Sequence, residues 1–143
     1  MGRLIDWQAR LVSYLADCRT RPFAYGAHDC ALFAAGAVQA MTGLDTAADW
    51  RGRYTTHRGG LRVLRRAGFR DHIAVVAAQF PEIPLAQALP GDLAAIGTVD
   101  EAVPGPALAP ALGVMQGEAI YVLGPGGLGL MPRSAATRAF RVD

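Results

Sequence analysis

The run from Ala31 to Met41 carries a single polar side chain, Gln39, and stops at Gly43. A helix that is apolar all round has no face for solvent, so it must lie in the middle of whatever the chain builds. Its alanines and Gly36 leave little bulk, and neighbouring elements can approach its axis closely. His28, Asp29 and Cys30 stand directly before it. Asp29 reads as the cap of this central helix and Cys30 as its opening residue. A thiol placed there feels the positive end of the helix dipole, which favours the nucleophilic thiolate.

The remaining elements follow from spacing. Leu4, Trp7, Leu11 and Leu15 recur at helical intervals, with Cys18 continuing the apolar stripe, so the first segment reads as an amphipathic helix ending before Pro22. A turn from Pro22 to Gly26 leads into the central helix. Beyond it a short helix is expected from Asp45 to Trp50 and another from Thr56 to Ala67, closed by Gly68. Asp71 caps a further short helix that ends before Pro81. From Leu89 the texture changes to short runs separated by Gly and Pro, read as strands at Asp92 to Ile96, Leu112 to Met115, Ala119 to Leu123, Leu128 to Met131 and Arg138 to Val142. Helices first and strands last make an α+β domain. The Pro-rich stretch from Gly97 to Pro110 lacks periodicity and reads as a long loop of the kind that is functional or mobile.

At 143 residues the chain reads as one domain. All 14 basic residues are arginine, and there is neither lysine nor asparagine. That excludes a lysine Schiff base, a P-loop lysine and an Asn-assisted triad. The two serines, Ser13 and Ser134, sit in no nucleophile-elbow context. Two cysteines cannot make a zinc site and read as free thiols, so neither metal nor cofactor is expected. Asp6 and Arg10 interrupt the start, which reads as neither signal nor transit sequence, and no apolar run approaches the roughly 20 residues of a membrane helix. A cytoplasmic origin follows as an expectation. The net charge of +2 is modest, yet Arg51, Arg53, Arg58, Arg62, Arg65, Arg66 and Arg70 occur with no acid among them. Arg62, Arg65 and Arg66 share one expected helix; the segment reads as a solvated face around Leu61 and Leu64 or, alternatively, as a candidate interaction surface for an acidic protein or a polyanion. Aromatic interleaving there is limited to Trp50, Tyr54 and Phe69, which argues against a nucleic-acid partner.

The string Phe23-Ala24-Tyr25-Gly26-Ala27-His28-Asp29-Cys30-Ala31-Leu32-Phe33 resembles the nucleophile segment of the NlpC/P60 family, papain-like cysteine hydrolases that cut peptidoglycan stem peptides. Pro90-Gly91-Asp92-Leu93 is similar to the segment that opens that family's first core strand, and Ala111-Leu112-Gly113-Val114-Met115-Gln116-Gly117 to its second. The resemblance covers nearly the whole chain, 1–143. It implies a papain-like α+β fold, with N-terminal helices and a cysteine at the start of the central helix packed on a C-terminal antiparallel sheet. It implies Cys30 as nucleophile, with Tyr25, Asp29 and Ala111 lining the cleft.

The sequence departs from the family at the base. A papain-like mechanism needs an imidazole to take the thiol proton and a third polar group to orient it. The position matching the family's histidine holds Ala111, the third position offers only Tyr121, and no histidine follows His72. His28 remains as a candidate base, otherwise a cap or turn residue, while His57 and His72 read as exposed. Tyr25 to Cys30 followed by Arg51-Gly52-Arg53-Tyr54 also resembles small proteins encoded among the tail genes of siphophages and gene-transfer particles. The expectation is a tail-assembly or tail-tip structural protein on a degraded hydrolase scaffold, located in the virion tail and made in the host cytoplasm. Its partners are other tail proteins and, by the family's chemistry, peptidoglycan. The competing expectation is an active peptidoglycan endopeptidase or amidase. A third is a bacterial binding module on the old scaffold.

Overall fold

In the computed structural model, which describes residues 2–97 and 111–143, the apolar run forms helix α2, Cys30–Thr42, ending at Gly43. Before it lies α1, Trp7–Cys18. After it come α3, His57–Arg66, and α4, His72–Gln79. Six strands follow: β1 Glu82–Ile83, β2 Leu93–Ile96, β3 Ala111–Gln116, β4 Ala119–Gly124, β5 Gly127–Pro132 and β6 Ala136–Phe140. They form one antiparallel sheet in the order β1-β6-β2-β3-β4-β5. The architecture is α+β, four helices and a six-stranded sheet among the described residues. None of these helices is long and apolar enough to cross a membrane.

The core forms where α2 meets the sheet. Phe33, Ala37, Val38 and Met41 of α2 pack in one buried cluster with Leu11 and Leu15 of α1 and with Leu93, Leu112, Val114 and Phe140 of the strands. Each large apolar side chain so buried contributes roughly 1.5 to 3 kcal/mol. The small residues of α2 permit the close approach their sequence suggests. Tyr14 stacks on Phe33 and donates to its carbonyl at 2.7 Å, and a Cβ at Gly36 would overlap the Tyr14 ring. Cys18 is buried in the same cluster, and burial raises its thiol pKa.

A second polar feature ties both ends to the sheet. The Asp92 carboxylate is fully buried and accepts from Arg3 Nη2 at 3.0 Å, from the Val142 amide at 3.1 Å and from the Leu89 amide at 2.9 Å. Arg3 also donates Nε to the Val142 carbonyl at 2.7 Å. Several donors offset the cost of burying this carboxylate.

Two expectations differ from the structure in detail. Asp45 to Trp50 is a series of turns rather than a helix, because Asp45 turns its carboxylate onto its own Ala47 amide and onto Arg51, a local alternative to helical bonding. Strand β1, two residues paired to Ala139 and Phe140, is too short to carry a period. Apart from Gly97, the loop read from Gly97 to Pro110 lies outside the described residues.

Candidate active site

Three helix starts converge on one cavity. Each is capped by a side-chain oxygen that accepts the amide three residues on: Asp29 from Leu32 at 2.9 Å, Thr56 from Gly59 at 3.0 Å and Asp71 from Ala74 at 2.9 Å. The residues immediately after the caps, Cys30, His57 and His72, all line the same cavity. A first-turn side chain projects off the end of its helix, so three separate N-termini present a thiol and two imidazoles to one space. The cavity measures about 290 Å³. Tyr25, Asp29, Ala111 and Leu112 also line it, so the three residues named as cleft-lining from the sequence do meet Cys30 there.

The central contact is between Cys30 Sγ and His72 Nε2, 3.9 Å apart. This is the long end of sulfur hydrogen bonding, and Nε2 accepts the thiol proton in the tautomer that carries hydrogen on Nδ1. The expectation that His72 is exposed is therefore corrected: it is half-buried. Asp71 starts α4 one residue earlier, which fixes His72 in the first turn. Ile73, Val76 and Phe80 then anchor α4 in the core cluster of α2. His57 is exposed, as expected, at the cavity mouth beside Tyr25, with ring centroids 5.9 Å apart.

His28 does not serve as the imidazole of the site. A bridge between Ala24 and His28 folds the turn back on itself, and the ring packs edge-on against Phe33, 2% exposed and outside the cavity lining. Its Nε2 has no hydrogen-bond partner among the described residues. Burial, with Arg21 adding to it, lowers its pKa from the ordinary 6.5.

Asp29 works as a cap, as read from the sequence, and as more than that. It is 3% exposed and accepts from Gly26 N at 3.0 Å and from the Tyr54 hydroxyl at 2.6 Å besides capping α2. Gly26 sits at φ +81°, and a Cβ there would run into the Tyr54 carbonyl oxygen. The turn before Cys30 is thus held from the segment between Arg51 and Tyr54, which sequence reasoning treated as part of a basic surface. Burial and the Asp29 carboxylate push the Tyr54 hydroxyl upward in pKa.

Burial also pushes the Cys30 thiol up, to about 11, against the lowering effect of backbone hydrogen bonds from Leu112 and Ala31. The helix dipole, typically 0.3 to about 1 kcal/mol, is outweighed. The thiol is therefore predominantly protonated at neutral pH. Among the described residues no three His, Cys, Asp or Glu side chains are grouped to hold a metal ion.

The candidate interaction residues lie on α3 beside the cavity, around a groove that shares His57 and Leu61 with its lining. Arg62, Arg65 and Arg66 are exposed there with Arg58, and none of the four has an ion pair among the described residues. Arg51 is tied to Asp45 at 2.7 Å and leaves the patch.

Fold and site together define an α+β domain with a thiol–imidazole pair at converging helix starts. The chain belongs to a family described as a domain of unknown function, DUF6950, whose family model matches residues 2–142. No curated protein matches it.

Proposed function

We propose that the protein is a papain-like cysteine hydrolase or acyltransferase of the NlpC/P60 type, in which Cys30 is the nucleophile and His72 the proton carrier. The observation that carries this reading is the 3.9 Å approach of His72 Nε2 to Cys30 Sγ within a cavity. In this variant the imidazole comes from the first turn of α4, and the position where the family has it, Ala111, is cavity wall. The unionised thiol dictates the order of events. Sγ attacks an acyl carbonyl while its proton moves to Nε2, as with an activated serine, rather than from a preformed ion pair. The protonated imidazole then returns the proton to the leaving group.

The setting proposed for this activity is a phage or gene-transfer-particle tail, with the exposed Arg62, Arg65 and Arg66 face docking on acidic tail proteins, since Arg favours bidentate pairing with carboxylates. Two observations favour a second reading, a scaffold without turnover: the thiol raised to about 11 and the alanine at position 111.

Alkylation separates the two. Cys30 labelling by iodoacetamide, followed by mass spectrometry across pH 6 to 10, should be at least about 10-fold slower in His72→Ala and unaltered in His28→Gln, given the usual size of general-base assistance. Equal rates in His72→Ala and the parent would leave only the scaffold reading. Charge reversal at Arg62, Arg65 and Arg66 with normal particle yield would remove the docking face.

A further inference from the structure

Resting on the hydrolase reading, we propose that the cavity beside Cys30 is an acyl-chain pocket and that the substrate is an ester or thioester carrying an unbranched apolar chain. The cavity lining includes Trp50, Leu61, Leu64, Val75, Val76 and Leu123, drawn from the turn segment, α3, α4 and β4. No Arg or Glu contributes to the lining among the described residues. The one carboxylate in it, Asp29, is already engaged by Leu32, Gly26 and Tyr54. A substrate with several charged groups would leave them desolvated without partners, at a cost of kilocalories each. An apolar chain is rewarded instead for every methylene it buries. The volume of about 290 Å³ is roughly twice that of an apolar protein cavity that takes up benzene, which suits a medium-length chain.

The reaction balances with water alone. Cys30 Sγ bonds to the acyl carbon as its proton passes to His72 Nε2; the carbon–oxygen bond to the leaving alcohol breaks, and that oxygen keeps the electron pair and takes the proton. A thioester on Cys30 remains. Water then adds to the same carbon, the carbon–sulfur bond breaks, and the products are a carboxylic acid and the restored thiol.

p-Nitrophenyl acetate, butyrate, hexanoate and octanoate test the proposal on the full chain. The expected kcat/KM rises about 4-fold per added methylene until the chain fills the cavity, and intact mass finds the acyl group on Cys30. Leu64→Trp, a substitution on a helix with no fully buried residue, should move the optimum to a shorter chain. Titration of Cys30→Ser protein with octanamide and acetamide reads the pocket without chemistry and should favour octanamide by at least about 100-fold. Cys30 acylation with no chain-length preference would overturn the pocket and leave the hydrolase reading standing. Strong octanamide preference without acylation by any ester would overturn the hydrolase reading and leave the pocket. Neither preference nor acylation would overturn both.

Discussion

Helices α2 and α4 begin with the same three-part device: an aspartate in extended conformation, an amide three residues on that it accepts, and a chemically competent residue between them. The settings differ. Asp29 is 3% exposed and holds Gly26 and Tyr54 as well as its own helix. Asp71 is half-buried, and Ala74 supplies its cap bond. The start of α2 is therefore fixed by a network that spans residues 26 to 54, and the start of α4 by its own cap together with the apolar anchor of Ile73, Val76 and Phe80.

The comparison is broken most severely at Asp29. Asp29→Ala removes a cap and leaves the Tyr54 hydroxyl and two amides without their acceptor, so a loss of about 3 to 4 kcal/mol is expected. Denaturant unfolding should show it as a lower midpoint at unchanged slope. Asp71→Ala removes one cap and should cost about 1 kcal/mol; in that variant iodoacetamide labelling of Cys30 should slow as His72 loses its position. Equal losses for the two variants would mean that the buried network adds nothing to the cap.

The smallest effect is one of pH, and it belongs to the α2 side alone. Burial lowers the His28 pKa below its ordinary 6.5, so between the two values the unfolded chain binds more protons than the folded one. The contribution of neutral His28 is complete above pH 6.5 and fades as the pH falls through the folded value. His28→Gln should therefore lose fewer degrees of Tm than the parent between pH 7 and pH 5.5. The loop entering α4 has exposed Arg70 at the corresponding position and should show no such dependence. Identical slopes in parent and His28→Gln would assign the pH effect elsewhere.

How far the sequence could be read depended on how local each cause was. The burial of α2, the Asp29 and Asp71 caps and the three central strands all come from residues within a few places of one another and are found where expected, whereas β1 was not foreseen and the last strand is Ala136–Phe140 rather than Arg138 to Val142. The Asp45 turn was misread as a helix because a carboxylate can serve its own next amides as well as a helix start. His72 was misplaced for a different reason. Its neighbours Arg70 and Asp71 are polar, which suggests the surface, and its approach to Cys30 joins residues 42 positions apart. A signal did exist in the repeated pattern of capping residue followed by Cys or His, at Asp29-Cys30, Thr56-His57 and Asp71-His72. Ala111 lines the cavity, and which imidazole stands beside Cys30 is a matter of how α4 packs against α2.

The buried Asp92 has a mechanical consequence. Arg3 and Val142 meet on that one carboxylate, so the two extremities of the fold leave from a single anchorage on the sheet. Tension applied between these two points would load the Arg3–Asp92 ion pair and, through the Leu4 amide on the Met41 carbonyl at 2.7 Å, the last turn of α2. Cys30 stands at the other end of that helix.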